Sequence, residues 1–354
     1  MNKQYKHLEN YLRENLKMPY IKNESLNTIE GLSNWKGNLI NSKGEFINEA
    51  YPFKIKFKDI LSWKLKKNKW ASVKKNYKEK LSICNNALDF TTNNNDVLIW
   101  LGHSTFLFRI NGVTFLTDPI FESPHLFLKR NHDLPFNKEQ LPKIDYLLIS
   151  HDHRDHLDKK SIRFILNRGD NPTILTGLNL DKWFESNFKS ANYSIQAAGW
   201  YQQYQTKEDD TNVYYLPARH WSKRGMFDTN KRLWGSFLIE AGNKTIYFSG
   251  DTGYGSHLKD VGELFKNIDI AILGIGAYQP EWFMEANHIS PLNALRAIHE
   301  MNAQKFIPMH YGMFDLSDEP ILEPVESLIK FHATEFSHIN LSVLKVGENH
   351  LINS

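Results

Sequence analysis

The sequence predicts an α/β protein of mixed β-sheets covered by helices, preceded by a basic N-terminal extension. Three observations carry this. From Asp96 onward, short apolar runs bounded by turn residues follow one another as hairpins. Later runs alternate with amphipathic stretches of helical length, the pattern of strands joined by crossover helices. Residues 1–90 carry 18 Lys+Arg against 9 Asp+Glu, whereas the rest carries 25 against 31.

The elements follow in chain order. Within the extension, polar Asn/Lys-rich stretches alternate with short apolar clusters. Between Phe53 and Lys80 the apolar side chains, among them Trp63 and Trp70, are interleaved with lysines, and the spacing predicts an amphipathic helix over Lys58–Lys67. Thr91–Asn95 reads as a linker, which divides the chain into 1–90 and 91–354. Val97–Leu101, Thr105–Ile110 and Val113–Thr117 are predicted strands, with Asn111-Gly112 as a two-residue hairpin turn. Tyr146–Ser150 is a compact apolar strand. Asp158 caps a helix to Asn167. Strands follow at Thr173–Thr176, Val213–Leu216, Trp234–Glu240 and Thr245–Ser249. Ser256–Lys266 is a helix and Ile268–Leu273 a strand. A helix over His288–Met301 tolerates Pro291 near its start, where the missing N–H costs little. Lys305–Pro308 is a strand, Glu323–His332 a helix, and Leu341–Lys345 a final strand.

Composition sets bounds. With 354 residues, 41% hydrophobic and 23% charged, the chain lies in the ordinary globular range and excludes fibrous or largely disordered classes. A chain this long buries enough apolar surface to fold without staples. Cys84 is the single cysteine, so no internal disulfide forms. No apolar run reaches the length of a membrane span, and the N-terminus lacks a signal-peptide pattern, so a cytoplasmic location is expected. The basic 54–80 segment, with its tryptophans, is a candidate for peripheral contact with an anionic membrane.

The chemistry concentrates in His151-Asp152-His153-Arg154-Asp155-His156, directly after the strand YLLIS. In extended backbone, residues two apart point the same way, so His151 and His153 can share one ion. Imidazoles with a carboxylate suit Zn²⁺ or another divalent first-row metal such as Mn²⁺ or Fe²⁺. Three further strands end on potential ligands: His220, Asp251 and His310. Side chains at strand ends on one sheet edge converge on one site. The seven candidates His151, His153, Asp155, His156, His220, Asp251 and His310 exceed one tetrahedral ion and suit two ions with a bridging carboxylate.

These residues resemble the metallo-β-lactamase superfamily, and within it the N-acylphosphatidylethanolamine-hydrolysing phospholipase D (NAPE-PLD-like) family. The resemblance runs over about residues 45–350. It is carried by WLGHSTFLFRINGVTFLTDPIF (Trp100–Phe121), LISHDHRDHLD (Leu148–Asp158), PARHWSKRG (Pro217–Gly225), LWGSFLIE (Leu233–Glu240) and FSGDTGY (Phe248–Tyr254). IGAYQPEWFM with NHISP (Ile275–Pro291) and MHYGMF with EPILEP (Met309–Pro324) complete it. It implies an αββα sandwich for the hydrolase domain at 91–354. It further implies two Zn²⁺ ions: His151, His153 and His220 on one, Asp155, His156 and His310 on the other, Asp251 bridging. The implied reaction is phosphodiester cleavage by a metal-bridged hydroxide on an N-acylphosphatidylethanolamine-like phospholipid. Two such ions, two carboxylates and a hydroxide leave a core of about +1, which favours an anionic group. His288 matches the family's substrate-side histidine and is expected to orient the phosphate or protonate the leaving oxygen. Asn287 departs from the family's more usual glutamine.

Metal-bound imidazoles donate their other N–H to a carboxylate or carbonyl. Asp118, in LTDP, and His103, in LGHS, are the candidates for positions behind the ligands. Tyr254, Tyr278 and Trp282, with Asn287 and His288, are candidate substrate contacts. A lactonase or other ester hydrolase on the same scaffold is the nearest alternative. A non-catalytic metal-binding protein would predict a broken ligand set, and no ligand is missing. No nucleic-acid partner is expected, because the stretch from His156 to His220 leaves no room for the extra domain of RNA-cleaving relatives. A homodimer is compatible with the sequence.

Overall fold

The computed structural model describes residues 18–53, 57–84, 95–124 and 128–352. The expected linker at Thr91–Asn95 lies outside them except for Asn95, as do Lys54, Ile55 and Lys56 of the basic segment.

Short strands β1 (Tyr20–Ile21), β2 (Asn27–Thr28) and β3 (Asn38–Leu39) precede helices α1 (Phe57–Leu65) and α2 (Ala71–Asn76). Then come β4 (Val97–Gly102), β5 (Thr105–Ile110), β6 (Val113–Thr117), β7 (Tyr146–Ile149), α3 (Lys159–Asn167), β8 (Thr173–Gly177), α4 (Asp181–Asn187), β9 (Ser194–Ala198) and β10 (Gln202–Gln203). The second half holds β11 (Thr211–Leu216), β12 (Ser236–Ala241), β13 (Lys244–Phe248), α5 (Ser256–Leu264), β14 (Ile270–Gly274), α6 (Glu281–Met284), α7 (Pro291–Met301), β15 (Lys305–Met309), α8 (Glu323–Glu335) and β16 (Asn349–Leu351).

Among the described residues, fourteen strands form two seven-stranded mixed sheets, ordered β16-β4-β5-β6-β7-β8-β9 and β15-β14-β13-β12-β11-β10-β2, and β1 pairs with β3 apart from them. Hairpin-linked strands run antiparallel, while β6 to β9 and β13 to β15 run parallel through crossovers. Period-two alternation divides β4 between two cores. Leu98 and Trp100 point between the sheets, where Phe106, Phe237 and Ile246 meet them. Val97, Ile99 and Leu101 point outward, against Ile162 and Ile165 of α3 and Phe184 of α4. On the far side, Leu258 of α5, Leu295 of α7 and Leu328 of α8 cover the second sheet. The result is the expected αββα sandwich. Strands buried on both faces read as continuous apolar runs, which is why β4 and β7 were legible.

Local chemistry sets the ends. Asp158 caps α3 by accepting the Ser161 N–H at 2.9 Å. Helix α7 starts at Pro291 with Ser290 as its cap, so His288 lies outside the helix that the sequence begins there. The strand expected at Leu341–Lys345 is absent. Leu341 makes one bridge to Phe306, and Leu344 is buried three residues on, a spacing that extended backbone cannot keep on one face. The last strand is instead β16, paired with β4. Helix α4 and strand β9 lack a strong period in the sequence and arise from tertiary packing of Trp183 and Phe184.

Residues 18–53 and 57–84 run over the sandwich. β2 extends the second sheet by pairing Thr28 with Gln202, and Leu26, Ile29 and Phe46 enter the inter-sheet core. Helix α1 forms where the spacing predicts it. Its Trp63 stacks on Phe283 with centroids 5.2 Å apart and donates Nε1–H to Asp318 at 2.9 Å. Lys64 and Lys66 lie over the rings of Trp63 and Trp282.

Candidate metal centre

Strand ends bring the chemistry together. β6 ends before Asp118, β7 before His151–His156, β11 before His220, β13 before Asp251 and β15 before His310. His103 sits in the β4–β5 turn. His103, Asp118 and His310 have positive φ of 55°, 33° and 61°, conformations that non-glycine residues adopt at a cost of order 1–3 kcal/mol. Such strain concentrates at functional sites, and here it falls on three residues of one cluster.

All seven candidate ligands converge into two sets. In the first, His151 Nε2 lies 2.9 Å from His153 Nδ1, and His220 Nε2 lies 3.1 Å from the same atom. Asp251 Oδ2 stands 3.9 Å from His151 Nε2 and 3.7 Å from His220 Nε2. In the second, Asp251 Oδ1 stands 3.2 Å from His156 Nε2 and 3.1 Å from His310 Nε2. Asp155 Oδ2 closes that set at 3.8 Å and 3.7 Å from the same two nitrogens. Asp251 thus turns one oxygen to each set.

The hydrogen bonds behind the rings fix their tautomers. His156 Nδ1 meets the Asp118 carboxylate at 2.7 Å, and His220 Nδ1 meets the Asn287 carbonyl at 3.0 Å. Ser150 Oγ donates to Asp118 at 2.6 Å and so accepts from His151 Nδ1 at 2.9 Å. In each case Nδ1 carries a hydrogen and Nε2 is turned inward, where a bound cation would displace any second proton. Nε2 of His156 and of His310 is buried without a hydrogen-bond partner. Buried polar atoms left this way need an explanation. A tetrahedral ion with metal–nitrogen distances near 2.0–2.1 Å spaces its ligand atoms about 3.3 Å apart. The separations within each set bracket that value, so the donors fit two divalent first-row cations.

Electrostatics agrees. Burial works against charge on His156 and His310, yet the carboxylates of Asp251 and Asp155, with Asp118 at His156, hold His156 well above its ordinary pKa and His310 at about 9. His151 and His220 go well below theirs through burial and neighbouring imidazoles. The Asp251 carboxyl sits well below the usual range despite burial, because His156 and His310 favour its anion. The second set therefore attracts positive charge, which a metal ion would supply.

The other sequence candidates divide. His103 is buried, with Nε2 3.2 Å from Asp155 Oδ2 and its ring 4.1 Å from that of His310. His288 Nδ1 stands 3.8 Å from Asp251 Oδ2, with its ring 5.3 Å from His220 and 5.4 Å from His310. Its side chain keeps 18% exposure where those of His151, His220 and His310 keep 1%, so it is more open to solvent than these three. Asn287 serves His220 through its carbonyl. The hydroxyls of Tyr254 and Tyr278 turn away, to Glu300 and Glu323 at 2.6 Å each. Trp282 is 46% exposed beneath Lys66. Sequence reasoning missed Ser150, which links Asp118 to His151, and Trp221, whose ring lies 4.6 Å from His153. It also missed Arg232, which holds the buried Asp152 at 2.7 Å. Adjacency to the histidine run is the one signal that pointed to Ser150.

Comparisons with known proteins bear on this centre. A family model described as "Beta-lactamase superfamily domain" matches residues 114–311. The chain is 34% identical over 251 residues to N-acyl-phosphatidylethanolamine-hydrolyzing phospholipase D 1 of Caenorhabditis elegans, covering 68% of this chain and 70% of that one. It is 35% identical over 242 residues to the mitochondrial N-acyl-phosphatidylethanolamine-hydrolyzing phospholipase D of Saccharomyces cerevisiae, covering 65% of this chain but half, 50%, of that one. Among solved structures it resembles Igni18, a metallo hydrolase of Ignicoccus hospitalis, with a TM-score of 0.56 and 20% identity over 73% of this chain and 98% of that one, a likeness of fold. With two ligand sets sharing Asp251 at the edge of an αββα sandwich, the chain is a metal-dependent hydrolase of the β-lactamase superfamily and belongs with the N-acylphosphatidylethanolamine-hydrolysing phospholipases D.

Proposed function

We propose that the protein is a binuclear zinc-dependent phosphodiesterase of the phospholipase D type, acting on N-acylphosphatidylethanolamine-like phospholipids. The observation that carries this reading is the position of Asp251, one carboxylate oxygen toward each ligand set, with the partly buried His288 beside it. The activities for which the two relatives are named supply the substrate class.

In this reading His151, His153 and His220 hold one ion, Asp155, His156 and His310 the other, and Asp251 both. Bound there, the two ions supply an activated water at neutral pH and draw charge from the phosphoryl oxygens. The residues do the rest. Asp118, Ser150 and the Asn287 carbonyl hold His156, His151 and His220 with Nε2 turned to the ions. His103 braces Asp155 from behind. His288 orients the phosphoryl group and passes a proton to the departing alcohol oxygen. Water adds to phosphorus, the phosphorus–oxygen bond to the head group breaks, and phosphatidic acid and an N-acylethanolamine leave. The enzyme meets this insoluble substrate at a membrane surface, as a peripheral protein. Among the described residues no helix is long and apolar enough to cross a membrane.

Turnover tests this. Zinc-loaded protein is given N-acylphosphatidylethanolamine in detergent micelles, and products are read by mass spectrometry. Stoichiometric phosphatidic acid and N-acylethanolamine are expected. No phospholipid turnover by a preparation that opens a lactone or cleaves a simple ester would overturn the assignment.

A further inference from the structure

Met226 and Phe227 are the two most exposed large apolar side chains among the described residues, at 79% and 85%. They form the tip of loop 222–231, directly after His220. Exposed single apolar residues are ordinary, but two adjacent ones on a firmly built protrusion are not. The build is tight. Asp228 Oδ1 accepts the N–H groups of Arg224 at 3.2 Å and Gly225 at 2.7 Å, and Asp228 Oδ2 accepts from Arg232 at 2.8 Å. Arg224 donates to the carbonyls of Asp152 at 3.1 Å and Leu157 at 2.8 Å, so the loop is fastened to the histidine run. Trp221, at its base, packs on His153.

The charge around the tip has one sign. Arg154, Lys223 and Lys231 are exposed, and Arg154 is joined to the loop through the Arg224 carbonyl at 3.3 Å. The acid of the loop, Asp228, is already paired with Arg232. Apolar side chains above a collar of cations complement an anionic bilayer, whose phosphates meet the cations while the apolar groups enter the acyl boundary. The tryptophans of the 57–84 segment differ, because Trp63 is stacked against the body.

We infer that Met226 and Phe227 insert into an anionic phospholipid bilayer, with Arg154, Lys223 and Lys231 on its phosphates, and so hold the metal centre at the lipid surface. The inference rests on the phospholipid reading of the site and adds the contact that delivers it.

The test is sedimentation of the full-length, metal-loaded protein with phosphatidylcholine vesicles, with and without phosphatidylglycerol. Met226→Ser with Phe227→Ser is expected to weaken binding to anionic vesicles by roughly 10-fold or more, given the transfer free energy of two large apolar side chains. Met226→Leu with Phe227→Leu is expected to keep it. Arg154→Gln with Lys223→Gln is expected to reduce the salt dependence. Metal content and circular dichroism of each variant report folding. Wild type that ignores vesicles, or a serine variant that binds equally well, overturns the inference. So does a wild-type dimer that the serine variant dissociates, which would make the loop a protein interface. Turnover in detergent micelles, which needs no bilayer, tests the phospholipid reading separately.

Discussion

The Nδ1 of His156 lies 2.7 Å from Oδ2 of Asp118, and neither side chain has any solvent exposure. The same oxygen takes the Ser150 hydroxyl, which in turn meets His151. One carboxylate therefore aligns a histidine of each ligand set, and the centre's geometry depends on a residue that touches no metal.

Asp118→Ala should weaken metal binding by about 10- to 100-fold, the usual cost of removing a partner behind a ligand. Ser150→Ala, which frees His151 alone, should cost less. Chelator competition measures both. Equal affinities in wild type and Asp118→Ala would leave the linkage without function.

Purified protein should carry about two divalent transition-metal ions per chain. His151→Ala or His153→Ala should abolish turnover while circular dichroism stays native, because a sandwich with a continuous inter-sheet core does not need zinc to fold. Elemental analysis that finds no transition metal in the wild type would refute the binuclear assignment.

His288→Ala should keep both ions and lower kcat by about 10²- to 10⁴-fold, the usual contribution of an acid–base group. Metal loss in that variant would make His288 a ligand.

Burial, helped by the nearby Arg219 guanidinium, lowers His257 to about 3. Its Nε2 lies 2.8 Å from Thr252 Oγ1. The unfolded chain binds a proton there below about pH 6.5 and the native state does not, so stability falls as pH drops from about 6.5 toward 3. Between pH 7 and pH 5, wild type should lose about 2 kcal/mol more than His257→Gln. Urea unfolding at the two pH values measures this. Parallel losses would mean that His257 charges freely in the native protein.

Lys64, Lys66, Lys67 and Lys69 are exposed on and after α1. Near an anionic surface each contributes about 1 kcal/mol at low salt. Replacing all four by glutamine should weaken sedimentation with anionic vesicles and shift it to lower salt. Unchanged binding would give the segment a purely structural role.

The sequence by itself determined the chemistry and its chain positions. Histidine and aspartate placed just after apolar strands are readable because strand runs and ligand types are both local signals. His151, His153, Asp155, His156, His220, Asp251 and His310 were visible in that way, as were most strands and the helix over Lys58–Lys67. Other features depended on contacts between residues far apart in the chain, which no local pattern encodes. The division of Asp251 between two sets exists only once β7, β11, β13 and β15 end on one edge. Ser150 and the Asn287 carbonyl became supports for histidines because folding put them behind the rings. The pairing of Thr28 with Gln202 drew the extension into the second sheet, and the stack of Trp63 on Phe283 fastened α1 to the body. The stretch Leu341–Lys345 had the composition of a strand, but β4 took its outer neighbour from Asn349–Leu351 instead, because backbone pairing is decided by which edge is open.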